Sequence, residues 1–255
     1  MDLQLPTHHG VGYKSASQLA RRITEPWGED NLYCCACPSD RLSPEKANTH
    51  VRDFLCPKCT EHYQLKSHSK KLGTGILGSN YQKMLDAILG NQTPNFFLLH
   101  YQLPEWLVRN LLLIPRFAIS PSVIVKRNAL SATAQRSQWT GYVLNVRLIP
   151  DSAKIPLIIE GSEVNRRDVR EQYARIARLE TLKPEQRGWT LDVLRCVESL
   201  PQATFTNADI YAAEPELAKL YPANHHIQPK IRQQLQVLRD RGMLKQTERG
   251  VWQRL

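Results

Sequence analysis

Two pairs of cysteines constrain this chain more than anything else in it. Cys34 and Cys37 are spaced by two residues, as are Cys56 and Cys59, and 18 residues lie between the pairs. Each CxxC element can chelate from one tight turn, and the intervening loop lets the two turns meet around a single ion in tetrahedral geometry. The expected ion is a structural Zn2+, with residues 34–59 forming a small knuckle. Four thiolates leave no vacant position, so such a zinc would staple the fold rather than catalyse. Cys35 lies between two ligands and leaves the register of the first pair slightly open; Cys196 stands alone in a helical pattern and reads as core.

Two short strands are expected beside the knuckle, His50–Leu55 and His62–Lys66, joined by the second cysteine pair. Side chains alternate along a strand, so Gln64 and Lys66 project on one face with Leu65 behind them. A knuckle that closes this hairpin would hold Asp53 close to both. Such a set suits phosphodiester hydrolysis: Asp53 and Gln64 would hold a catalytic Mg2+ that activates water, and Lys66 would position the attacking water or help deprotonate it. Glu25, near the end of a first helix, is a candidate distal carboxylate. Glu61 has the opposite strand parity from Gln64 and would reach the site only through a bulge. Taken from spacing alone, a D…QxK pattern is short and common and fits a solvent-exposed charged hairpin as well.

Leu19 and Ile23 suggest a helix over residues 13–25 that ends before Pro26. Gly73–Gly78 is glycine-rich and reads as mobile. Tyr81, Met84, Leu85 and Ile88 mark a helix that Gly90-Asn91 terminates. Asn95–Tyr101, Val108–Pro115 and Ile155–Ile159 are short apolar runs bounded by turn residues, hence strands. Helices and strands so mixed give an α/β (α+β) domain, placed at residues 1–182.

The remainder, residues 183–255, is patterned differently. Leu191, Leu194, Val197 and Leu200 stripe a first helix, Thr206 caps a second, and Ile231, Leu235 and Leu238 line a long third. A terminal hairpin follows, with Arg249-Gly250 near its tip. Three helices and a hairpin are the order of a winged helix. Lys230, Gln233, Gln234 and Arg241 are expected away from the apolar face of the long helix, with Lys245 and Arg249 on the wing. Gln can read adenine in the major groove, and Lys and Arg can contact phosphates. From residue 225 onward there are seven basic residues (Lys230, Arg232, Arg239, Arg241, Lys245, Arg249 and Arg254) against Asp240 and Glu248. That local excess favours DNA as partner. His225 and His226 lack a matching ligand set and read as capping or phosphate-contacting residues.

The whole chain is basic too: 34 Lys and Arg against 24 Asp and Glu give a formal net charge of +10. That balance favours nucleic acid or an anionic surface. A hydrophobic fraction of 42% and a charged fraction of 23% exclude a disordered chain. No stretch is long and apolar enough to cross a membrane, and the first ten residues lack a basic-then-apolar leader. A cytoplasmic location is therefore expected, where reducing conditions favour metal-bound cysteines over disulfides.

Asp53-x10-Gln64-Leu65-Lys66 resembles the PD-(D/E)xK nuclease motif. The wider chain resembles the DpnI family of methyl-directed type II restriction endonucleases over essentially its full length. The residues that carry this resemblance are Thr24-Glu25-x-Trp27, Tyr33-Cys34-x-x-Cys37, Asp53-Phe54-x-Cys56-x-x-Cys59, Leu65-Lys66-Ser67, Asn95-Phe-Phe, Gly188-Trp-Thr and Asn224–Ile227 through Leu238–Asp240. The resemblance implies a restriction-endonuclease-like core with an inserted four-cysteine zinc knuckle, Asp53 and Lys66 as catalytic residues, and a winged-helix DNA-binding domain. It also implies cleavage of double-stranded DNA at GATC sites with N6-methylated adenine, and it places Trp139, with Arg136 nearby, in a base-contacting segment. The chain is expected to be a monomer in solution. One departure stands out: the family position usually filled by Asp or Glu is Gln64, an amide without negative charge. The alternative reading is therefore a methylated-DNA-binding protein, or a winged-helix regulator, that does not cut.

Overall fold

A computed structural model describes residues 1–45, 52–70, 73, 75–128 and 140–255. In chain order the elements are α1 (Ala16–Asn31), β1 (Ser43–Pro44), β2 (Phe54–Leu55), β3 (His62–His68), β4 (Gly75–Gly78), α2 (Tyr81–Leu89), β5 (Asn95–Gln102) and β6 (Leu107–Ile114). Then come β7 (Ile124–Lys126), β8 (Tyr142–Asn145), β9 (Ile155–Ile159), β10 (Ser162–Glu163), α3 (Arg166–Ala177) and α4 (Pro184–Glu198). The chain closes with β11 (Thr204–Thr206), α5 (Asn207–Tyr211), α6 (Glu214–Leu220), α7 (Ile227–Asp240), β12 (Leu244–Glu248) and β13 (Val251–Arg254). Two compact units result. The first comprises residues 1–76, 92–116 and 152–176, and the second residues 77–91, 117–151 and 177–255.

The first unit is built on a seven-stranded mixed sheet in the order β1–β2–β3–β5–β6–β9–β10. β3 and β5 run parallel, while β5 pairs antiparallel with β6 and β6 with β9. The middle strand β5 is apolar on both faces: Phe96, Phe97, Leu98 and Leu99 are all fully buried, as a central strand requires. α1 and α3 lie on the face of the sheet that carries Tyr63, Leu65 and Ser67. Thr24 of α1 meets Ser67 at 3.2 Å, and the Tyr173 hydroxyl of α3 donates to Asn95 Oδ1.

Pro26 does not end the first helix, contrary to expectation; α1 continues to Asn31. A mid-helix proline loses one backbone bond at a cost of about 3 kcal/mol. Here the following residues provide the compensation. Trp27 is buried and donates its indole N–H to the Asp2 carbonyl at 2.7 Å, and a side chain at Gly28 would run into Phe54 and Leu65 of the sheet. Of the expected strand at residues 50–55, positions 50 and 51 lie outside the described residues, and only Phe54–Leu55 is strand. The glycine-rich stretch contains a strand, Gly75–Gly78.

The second unit contains the antiparallel pair β7–β8 and the C-terminal domain. That domain has the winged-helix order: α4, strand β11, short helices α5 and α6, long helix α7, and the hairpin β12–β13 with β11 added at its free edge. Thr206 and Asp209 form a reciprocal capping box at the start of α5, which fixes where the second helix begins. Leu191, Leu194 and Val197 of α4 are buried, as are Ile231, Leu235 and Leu238 of α7 and Trp252 of β13. The chain thus has a mixed α/β N-terminal domain with a cysteine cluster and a C-terminal α/β domain of winged-helix type. Among the described residues no helix is long and apolar enough to cross a membrane.

Candidate functional site

The four cysteines of the two CxxC pairs converge. Their sulfur atoms all lie within 4.8 Å of one another, with Cys34 and Cys59 at 3.5 Å and Cys37 and Cys56 at 3.6 Å. Zn–S bonds of roughly 2.3 Å in tetrahedral geometry place sulfurs roughly 3.8 Å apart, so the set fits a four-coordinate ion. The open register of the first pair resolves in favour of Cys34: Cys35 turns its thiol to the Tyr33 carbonyl and stays out of the cluster. Local backbone bonds shape the second turn, where Cys56 N–H donates to Glu61 and Thr60 N–H to Cys56, with Thr60 at positive φ. Arg170 of α3 braces the first turn by donating to the carbonyls of Cys34 and Ser39.

Asp53 precedes β2, and its carboxylate accepts the Leu65 N–H at 2.8 Å. Strand alternation puts Gln64 and Lys66 on the sheet face opposite to Leu65. Asp53 and Lys66 feel each other's charge, yet desolvation is the larger influence on both. Burial raises the Asp53 carboxyl above the ordinary range, offset in part by the Leu65 N–H, Lys66 and Arg21. It lowers the Lys66 ammonium, offset in part by Asp53. Gln64 is buried at 8% exposure, and its Oε1 has no hydrogen-bond partner among the described residues.

This arrangement overturns the expected Mg2+-dependent nuclease. Hard Mg2+ is held by carboxylate oxygens, and the site supplies one carboxylate and a neutral amide. Among the described residues the only group of three or more His, Cys, Asp or Glu side chains that can hold an ion is the four-cysteine cluster. The auxiliary acids do not fill the gap. Glu25 is engaged by Arg21 at 2.6 Å, and Glu61 pairs with Arg116 and accepts from Asn95. Nor does Gln234, the other buried glutamine among the described residues, carry charge. The hydrolase and magnesium assignments fall with this finding, and the non-cutting alternative stands better.

On the winged helix, α7 presents Arg232, Gln233, Gln236 and Arg239 on its exposed side. Lys230 donates to Gln233 Oε1 at 2.8 Å and lies 5.7 Å above the Trp189 ring. Arg249 and Lys245 are exposed on the hairpin. Gln234 departs from expectation: it is fully buried, and its Oε1 accepts from the Thr190 hydroxyl at 2.7 Å, so it joins α7 to α4 and faces no groove. Position 234 falls with 231, 235 and 238 on a 3.6-residue period, which is the signal that assigns it to the apolar side. Arg241 is half-buried and donates to the Arg178 carbonyl and the Thr181 hydroxyl. The same periodicity identifies Arg232, beside Gln233 and Gln236, as an interface candidate not singled out from the sequence. Arg136 and Trp139 lie outside the described residues.

The Dam-replacing family model of DpnI matches residues 1–182, and the Dam-replacing HTH domain model matches residues 185–254. The chain belongs to the DpnI family. Membership covers nearly the whole chain and supports a DNA-binding role in general. In DpnI-family terms, the exposed basic side of α7 and the wing belong to the region matched by the HTH model, and the cysteine cluster to the larger N-terminal match.

Proposed function

We propose that this protein is a reader of adenine-methylated double-stranded DNA that does not cut it. The observation that carries the reading is Gln64: a buried, uncharged amide where a second anionic metal ligand would be needed beside Asp53. We assign the reading role to two regions, residues 1–182 with a structural Zn2+ on Cys34, Cys37, Cys56 and Cys59, and the winged helix of residues 183–255. Lys230, Gln233 and Arg249 are proposed to contact the duplex, with α7 in the major groove and the wing on the backbone. Arg136 and Trp139 are proposed as further contacts through family resemblance. A monomer is proposed as the binding species. A cytoplasmic location is proposed with it, where reducing conditions would leave Cys34, Cys37, Cys56 and Cys59 available to the metal.

The test is a pair of duplexes that differ only in N6-methylation of adenine at one GATC, incubated with the full chain and Mg2+. Fluorescence anisotropy should show tighter binding to the methylated duplex, and sequencing gels should show both strands intact. Cleavage confined to the methylated duplex would refute the non-cutting reading. Equal binding to both duplexes would point instead to a regulator indifferent to methylation.

A further inference from the structure

We propose that Tyr63 is a positioning residue for the four-sulfur centre, and that it ties that centre to the strand bearing Gln64 and Lys66. The proposal rests on the reading of Cys34, Cys37, Cys56 and Cys59 as a structural metal site.

Tyr63 belongs to β3 and is fully buried, its ring stacked on Phe97 at 5.1 Å between centroids. Its hydroxyl oxygen lies 3.3 Å from the Cys35 backbone nitrogen and 3.1 Å from Cys34 Sγ. The direction of each bond follows from what each partner can do. A backbone N–H only donates, so the Tyr63 oxygen accepts from Cys35. The single hydroxyl proton then goes to Cys34 Sγ. A metal-bound sulfur is a thiolate and can only accept, which is consistent with that assignment. One tyrosine therefore hydrogen-bonds the first CxxC turn twice and draws electron density from one of the centre's four sulfurs.

The other end of the residue reaches the second site. The Tyr63 carbonyl accepts the Asp53 N–H at 2.9 Å, and Gln64 is the next residue. The path from sulfur to Asp53 thus runs through one side chain and one peptide group. Hydrogen bonds to metal ligands from outer groups typically change metal affinity by about 10–100-fold.

The experiment uses the full chain loaded with Co2+ in place of Zn2+, read by its thiolate-to-cobalt absorption and by release to a chelator. In Tyr63→Phe the ring keeps its place and the hydroxyl is lost. The Cys34 sulfur becomes more electron-rich, so the charge-transfer band should move to lower energy; the first CxxC turn also loses the hydroxyl that positions it, so metal release should accelerate by roughly tenfold. Replacing Tyr63 alone by a fluorinated, more acidic tyrosine should move the band the other way; this arm retains the hydroxyl should Tyr63→Phe fail to fold. Phe97→Leu, which loosens the stack without touching the hydroxyl, should lower thermal stability and leave the band where it is. An unshifted band in both Tyr63 variants would overturn the proposal while leaving the metal site standing. If the parent protein binds no Co2+ with thiolate absorption, the metal site and the proposal fail together.

Discussion

Gln64 and Asp53 show how much chemistry one atom of a side chain can control. Glutamine and glutamate differ little in volume, so Gln64→Glu should preserve the strand while adding a carboxylate beside Asp53. Mg2+ affinity measured by titration calorimetry should rise by roughly tenfold or more, since a hard cation gains a charged oxygen. An unchanged affinity would show that the two positions do not address one ion. Asp192 gives a second consequence at this scale. It is 1% exposed, accepts from Ser122 and Tyr221, and burial pushes its carboxyl from 3.8 up to about 6. A carboxyl raised in the folded state adds stability that is fully present below pH 3.8 and is lost as pH rises through about 6. The span corresponds to about 3 kcal/mol. Asp192→Asn should remove most of this slope when urea midpoints are compared across pH 4–7.

At the level of elements, the meeting of α1 with β3 depends on a residue without a side chain. A Cβ on Gly28 would sit 2.8 Å from the Phe54 ring and 3.1 Å from Leu32. Gly28→Ala should therefore cost about 1–3 kcal/mol in urea unfolding, as overpacking does elsewhere. Strands β5, β6 and β9 and helices α2 and α7 were legible in the sequence because each has one dominant period and clear terminators. The extension of α1 through Pro26 was not, since it is decided by contacts of Trp27 and Gly28 with segments distant in sequence. The cysteine cluster was legible from spacing alone. Gln64 was visible as a departure from the family pattern, and the non-cutting alternative with it; choosing that alternative required knowing that Glu25 and Glu61 are already committed to arginines. Gln234 was misplaced for a simpler reason, because a polar residue on the apolar side of α7 is only explained once Thr190 is seen to meet it.

For the whole molecule, the strongest outward signal is positive charge on the winged helix. Arg249→Ala should weaken duplex binding several-fold and reduce the slope of log K against log salt by about 1, whatever the sequence or methylation of the duplex. An unchanged slope would remove the wing from the phosphate contacts. A different consequence follows from the way the two compact units share the chain, with residues 77–91 and 117–151 belonging to the second unit although most of its residues come later. A ribosome delivers the polypeptide from its N-terminus, so these two segments emerge long before α4 and α7. Phe117, Ile119 and Val123, fully buried in the finished protein, must wait in the nascent chain for partners not yet synthesised. Synthesis stopped at residue 182 should therefore yield an aggregating product, because the α4–β13 segment that completes the second unit is missing.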